Sequence, residues 1–154
     1  MKKISTIIIC LMIFSQVNAQ MTANEEEMFK SMFNMEKKLM VENFMQLNDA
    51  DAQKFWPIYN NYETERGDLT SRRIKVLKQY ADQYSTLTDE QADVLMKEVF
   101  SIRKKDLALK QKYFNQIKKN MSAKTATSFY QLEEYIQTAI RYSLLEQIPF
   151  VGEM

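Results

Sequence analysis

Histidine is absent from this chain, cysteine occurs once, and glycine and proline occur twice each. Without an imidazole the chain lacks the side chain best suited to proton transfer near neutral pH and the commonest transition-metal ligand. The single thiol, Cys10, lies in an apolar leader, so the rest of the chain has no thiol nucleophile and no disulfide. Gly67 and Gly152 alone cannot build a phosphate-cradling loop. Ser101-Ile102-Arg103-Lys104 fits the S-x-x-K acylase pattern, but no S-D-N or K-T-G stretch accompanies it and it lies within a basic helical segment. The expectation is a protein that is not an enzyme, with no catalytic residue, no bound cofactor and no metal site. Scarce glycine and proline also exclude a turn-rich β fold. The expected class is all-α: an elongated antiparallel bundle of about four long helices.

What is present begins with a leader. Met1-Lys2-Lys3 is positive, and residues 4–14, ISTIIICLMIF, form an apolar run of eleven, short for a bilayer span. Val17-Asn18-Ala19 then offers a signal-peptidase site. The reading is a signal peptide over 1–19, cleaved after Ala19, and a single helical domain over 20–154. Ile9 ahead of Cys10 is not the small residue that a lipobox requires. Cleavage removes Lys2 and Lys3, taking Lys+Arg from 21 to 19 against 20 acids, a net charge of −1. The mature protein is expected in the periplasm, not spanning the membrane, and nucleic acid is excluded as a partner by location and charge.

Helical periodicity fills the rest. Asn24 followed by Glu25-Glu26-Glu27 reads as a helix start, and Met28, Met32, Met35 and Leu39 form a stripe, widened by Phe29, Phe33, Met40 and Phe44, to about Gln46. Asn48, with Asp49 and Asp51 behind it, caps a second helix carrying Phe55, Trp56, Tyr59, Tyr62, Leu69, Leu77 and Tyr80. Pro57 is expected to kink or restart this helix near Gln53. Thr88 caps a third, where Met96, Phe100, Leu107, Phe114 and Ile117 look like the apolar stripe. Residues 97–119 hold eight basic side chains against two acidic ones. Ser122 starts a fourth helix with Phe129, Leu132, Ile136, Ile140 and Leu144 on one face, and Pro149 ends it ahead of an apolar tail.

Three of these starts resemble one another: LNDADAQKFW from 47, LTDEQADVLM from 87 and MSAKTATSFY from 121. Each runs from a large apolar residue to a polar cap, then four positions on to Ala52, Ala92 or Ala126. An apolar pair follows: Phe55-Trp56, Leu95-Met96 or Phe129-Tyr130. Caps are chemically restricted, which explains the polar residue but not the alanine or the pair. Gln91, three residues after Thr88, can complete a capping box.

Leu87-Thr88-Asp89-Glu90-Gln91 matches the LTxxQ motif of the Spy/CpxP family of periplasmic proteins. A second copy is degraded here to Leu47-Asn48-Asp49-Ala50-Asp51. The stretch AQKFWPIYNNYE from Ala52 and the ending RYSLLEQIPF from Arg141 look like the Bacteroidetes branch, often described as sensors linked to extracytoplasmic-function sigma factors. The resemblance implies an all-helical, cradle-shaped homodimer acting as an ATP-independent chaperone or envelope-stress factor. Metal sensors similar to this family use histidine ligands, which this chain lacks.

Three features bear on binding. The methionine run in MFKSMFNMEKKLM is either packing or an adaptable apolar surface for varied partners, with thioether ligation of Cu(I) open chemically. The basic stretch is either a solvated face or an element that attracts acidic or unfolded chains. The tail Ile148-Pro149-Phe150-Val151 either packs on the body, crosses a dimer or docks into a partner. The residues assigned to partner contact are Met28, Phe29, Met32 and Phe33, with Arg103, Lys104 and Lys105 steering; Asn48, Thr88, Gln91 and Ser122 are structural caps. The expected partners are unfolded or partly folded proteins and a second copy of the chain. The alternatives are a regulatory sensor bound to one anti-sigma factor or sensor kinase, and metal sensing or buffering.

Overall fold

In the computed structural model the described residues are 23–146 and 148–151, with side chains described from residue 33. The leader, its cleavage site and Cys10 lie outside them. The described chain is all-α, with no strand. Four helices follow in order: α1 (Ala23–Met45), α2 (Asp49–Gln83), α3 (Asp89–Asn120) and α4 (Ala123–Leu145), with a 3-10 turn, Tyr84–Thr86, between α2 and α3. No helix among the described residues is long and apolar enough to cross a membrane.

The three matching starts become three N-caps built alike. The Asp51 amide donates to Asn48 Oδ1 at 2.9 Å, the Gln91 amide to Thr88 Oγ1 at 3.3 Å, and the Thr125 amide to Ser122 Oγ at 3.0 Å. At each, the alanine amide makes the first helical bond, to the carbonyl of the cap residue. Only Thr88 has the full capping box, because Gln91 Oε1 also accepts from the Thr88 amide at 2.9 Å. The first member of each apolar pair then enters the core: Phe55, Leu95 and Phe129 are all buried. The repeat is thus a device that delivers a large apolar side chain inward two turns after a cap. Upstream, α1 is already helical at Ala23, so Asn24 lies inside its first turn.

Scarce glycine leaves its mark at the end of α1. Gln46 takes φ 43°, the left-handed conformation where glycine is usual, and its amide closes on the Glu42 carbonyl at 3.1 Å. Gly67, by contrast, sits inside α2 and uses no such freedom: a Cβ built on it meets nothing within 4 Å. Gly67→Ala should therefore raise stability by about 1 kcal/mol, read as a higher urea midpoint. A lower midpoint would mean that this turn of α2 is not helical in solution. Pro57 does not restart α2, which runs unbroken from Asp49 to Gln83. Pro57 and Gln53, whose carbonyl loses its donor, are both exposed, on the side of α2 where solvent can replace the missing bond.

The chain forms two compact units. One comprises Leu47–Gln131 with the tail from Ile148: α2, α3 and the first part of α4. The other comprises the chain up to Gln46 with Leu132–Gln147: α1 and the rest of α4.

In the first unit α2 and α3 pack as an antiparallel hairpin. The α2 side of the seam is Phe55, Tyr59, Tyr62, Arg66, Leu69 and Val76; the α3 side is Leu95, Ile102, Asp106, Leu109, Tyr113 and Ile117. Steps of three, four and seven keep each line on one side of its helix, as in a coiled-coil seam. Near the hairpin turn, Val76, Leu95 and Ile102 form a cluster against which Tyr80, Leu87 and Val99 pack, so Leu87 of the LTDEQ stretch anchors the corner. At the other end, the Phe129 ring stands edge-to-face to Phe55, Tyr59 and Tyr62 at 5.5, 6.1 and 5.5 Å. Tyr62 in turn meets Tyr113 at 5.4 Å. The tail is tied to α2 by Tyr80 Oη donating to the Pro149 carbonyl at 2.7 Å; Ile148 is half-buried, while Phe150 and Val151 stay exposed.

Polar clamps cross this hairpin. Arg72 meets Glu98 at 2.7 Å and Ser101 Oγ at 3.2 Å. Glu65 accepts from Lys112 at 2.6 and 2.8 Å and from Tyr113 Oη at 2.7 Å. Lys112 holds the Glu65 carboxyl below its ordinary range, and Arg72 does the same for Glu98. Burial, then the bond to Glu65, pushes the Tyr113 phenol from 10.0 up to about 12. Because the carboxylates are lowered on folding, their contribution is present above about 4.5 and fades as pH falls through the folded values. Because the phenol is raised, its contribution is complete below 10.0 and fades as pH climbs toward about 12. The urea midpoint of the wild type should fall faster than that of Tyr113→Phe over that alkaline window. Parallel curves would refute the assignment.

The second unit holds a buried ion pair. Lys37 Nζ lies 2.9 Å from Glu133 Oε1 and 2.8 Å from Oε2, with both side chains 1% exposed. Gln137 Nε2 donates to Glu133 Oε1 at 3.1 Å. Val41, Leu132 and Ile136 are buried in the same unit, and Ile140 and Leu144 are half-buried, so the apolar face expected of the fourth helix is inward.

Candidate functional site

The third helix presents two lines of side chains, and the one facing α2 is not the line that hydropathy selects. The expected stripe Met96, Phe100, Leu107, Phe114, Ile117 divides. Ile117 is buried, and Phe114 is half-buried with its ring 6.4 Å from Tyr130 at the start of α4. Met96, Phe100 and Leu107 are exposed, at 46%, 59% and 51%. The inward line instead contains Asp106, whose carboxylate meets Lys110 Nζ at 2.8 Å one turn on. Two charges that neutralise each other along their own helix can occupy a seam that their individual hydropathies would forbid. With that seam satisfied, Met96, Phe100 and Leu107 are left outward.

The basic residues divide as well. Arg103 falls between Phe100 and Leu107, three residues after one and four before the other, and is therefore on the outward line. Lys104 is exposed on its flank. Lys105 belongs to the other side, beside Glu98: it follows Arg72 among the charges that hold the Glu98 carboxyl low. The outward α3 surface is therefore Met96, Phe100, Arg103 and Leu107 with Lys104 beside it. Ser101 of the S-x-x-K match accepts a hydrogen bond from Arg72.

In the second unit, the described part of the methionine row also faces outward. Met35 and Leu39 are exposed at 63% and 52%, whereas among the described side chains of α1 the buried ones are Lys37 and Val41. Of the two readings of the methionine run, packing or an open apolar surface, Met35 fits the second, while Met40 and Met45 are half-buried. Phe33 is half-buried. Met28, Phe29 and Met32 lie in α1 with side chains outside the described ones. Tyr135, Tyr142 and Leu145, at spacings of seven and three on α4, add a further exposed line in this unit. The assigned contact residues thus fall into separate units: Met28, Phe29, Met32 and Phe33 in one, Arg103, Lys104 and Lys105 in the other. Asn48, Thr88, Gln91 and Ser122 are caps, as expected.

Among the described residues no group of three or more His, Cys, Asp or Glu is placed to hold a metal ion. No family model, curated protein or solved structure matches the chain. The likeness to the Spy/CpxP family therefore stands on the LTxxQ stretch and the segments quoted with it.

Two things were missed in reading the sequence: the buried Lys37–Glu133–Gln137 group and the outward placement of the α3 stripe. A signal for the first was available. Lys37 stands four residues after Phe33 and four before Val41, and Glu133 four after Phe129, each a charge inside an apolar line.

Proposed function

We propose that this is an exported, Spy/CpxP-like helical protein that binds partly folded chains without ATP and acts as a chaperone or stress-response factor of the cell envelope. The observation that carries the reading is the outward α3 line: Met96, Phe100 and Leu107 exposed on one side of a helix, with Arg103 among them and Lys104 alongside. Flexible and aromatic apolar groups can accommodate varied sequences. Interleaved positive charge speeds encounter more than it tightens binding. Moderate affinity permits release as the client folds, which removes the need for a nucleotide. Dimerisation is part of the same proposal, as a means of covering some of the remaining exposed apolar side chains.

The test is aggregation suppression with several chemically unfolded clients, beside a solution mass measurement. The wild type should suppress at equimolar ratio, and Phe100→Ser/Leu107→Ser should lose most of that effect at unchanged helicity. No suppression of any client would end the reading. The second reading is a regulatory sensor bound to one anti-sigma factor or sensor kinase. It is favoured by the tail, where the Tyr80–Pro149 bond fixes the backbone while Phe150 and Val151 remain exposed. One partner recovered by crosslinking in the periplasm, without client-holding activity, would select it.

A further inference from the structure

Beyond Cys10 the chain has neither cysteine nor histidine, so thioethers are the sulfur it presents to an oxidant. Among the described side chains, Met40, Met45 and Met121 are half-buried, whereas Met35 and Met96 are 63% and 46% exposed. Neither stands alone. Met35 is followed at i+4 by the exposed Leu39, and Met96 by the exposed Phe100 and then Leu107. Arg103 and Lys104, both exposed, give this line a positive charge that draws in anions such as hypochlorite, while Lys97, next to Met96, is paired with Asp93.

We infer that Met35 and Met96 are modification sites at which hypochlorous acid switches these apolar surfaces off, and thiol-dependent sulfoxide reduction switches them on again. In the forward step the thioether sulfur gains an S–O bond and gives up two electrons. The chlorine of the acid takes them, its O–Cl bond breaks, and chloride and a proton leave. In the reverse step a dithiol is oxidised to a disulfide and the sulfoxide oxygen leaves as water. A sulfoxide is a polar acceptor that must be stripped of water before an apolar partner can cover it, so it opposes contact along the whole line. Both side chains are already in solvent, so the helices keep their packing and the effect falls on binding alone. The inference rests on reading the outward lines as contact surfaces.

The full-length mature protein is treated with limiting hypochlorous acid, and peptide mass mapping reads which methionines gain oxygen. Oxygen should appear on Met35 and Met96 before Met40, Met45 and Met121. Client suppression should weaken by at least about tenfold, as expected for losing the burial of a medium apolar group at either site. Helicity should hold, and methionine sulfoxide reductases with a dithiol should restore suppression. The Met28→Leu/Met32→Leu/Met35→Leu/Met96→Leu protein, whatever its starting level, should suppress as well after treatment as before. Prior oxidation of the half-buried methionines would overturn the inference, as would full suppression with both sulfoxides in place. Failure of the untreated protein to suppress aggregation is separately visible, and it would remove both the contact-surface reading and the switch.

Discussion

Glu133→Leu, with Lys37 left in place, should lower stability by about 3–5 kcal/mol, because it removes the carboxylate bonded to a buried ammonium. The two oxygens of Glu133 lie 2.9 and 2.8 Å from Lys37 Nζ, and both side chains are 1% exposed. At that burial, neither the lost attraction nor the desolvation of the cation is made up by water. Lys37→Met/Glu133→Leu should behave quite differently. With both charges gone and their volume filled by apolar groups among Val41, Leu132 and Ile136, stability should return to the wild-type value or exceed it by about 1–4 kcal/mol. Urea denaturation followed by circular dichroism of the three proteins checks this. If the double variant is as weak as the single one, the pair stabilises through packing of its methylene stems rather than through its charge balance. If the double variant is as stable as the wild type, the remaining role of the pair is register, tying residue 37 of α1 to residue 133 of α4.

Phe129→Ala should cost a similar amount, about 3–5 kcal/mol, by the loss of a buried aromatic and the cavity left behind. Phe129 is 4% exposed and meets Phe55, Tyr59 and Tyr62 edge-to-face, so one truncation removes three ring contacts between the first part of α4 and α2. Such contacts add about 0.5–1.5 kcal/mol each beyond their area. Near-ultraviolet circular dichroism should flatten along with the lower urea midpoint, since several tyrosines lose their fixed surroundings. Phe129→Leu, which keeps bulk but not the ring edge, should fall between the two. A loss below about 1 kcal/mol for the alanine variant would mean that this part of α4 is not docked in solution.

Helix starts were legible because their chemistry is local. Asn48, Thr88 and Ser122 need only an amide three residues ahead, and all three have it. The inward faces were legible where apolar character and seam coincide, as for Phe55, Tyr59, Tyr62 and Leu69 on α2 and Phe129, Leu132 and Ile136 on α4. They were not where a paired charge enters the seam. Arg66 is bonded to Glu63 at 2.9 Å within α2, and Asp106 to Lys110 within α3. Lys37 pairs with a residue 96 positions away. A periodicity count assigns such residues to solvent, so it finds the stripes that hold Met35, Met96, Phe100 and Leu107 without showing that these side chains face outward.

The candidate surface follows the same division. That these residues form apolar lines at helical spacing is a property of the sequence, as is the basic excess of residues 97–119. By itself the sequence determined an all-α chain with caps at 48, 88 and 122 and a capping box at Thr88–Gln91, because backbone amides are satisfied by neighbours within one turn. Tertiary structure alone decided which line of each helix is buried. That choice depends on which charges pair, along one helix as for Asp106–Lys110 or across the chain as for Lys37–Glu133, and on ring contacts between segments, none of which hydropathy records.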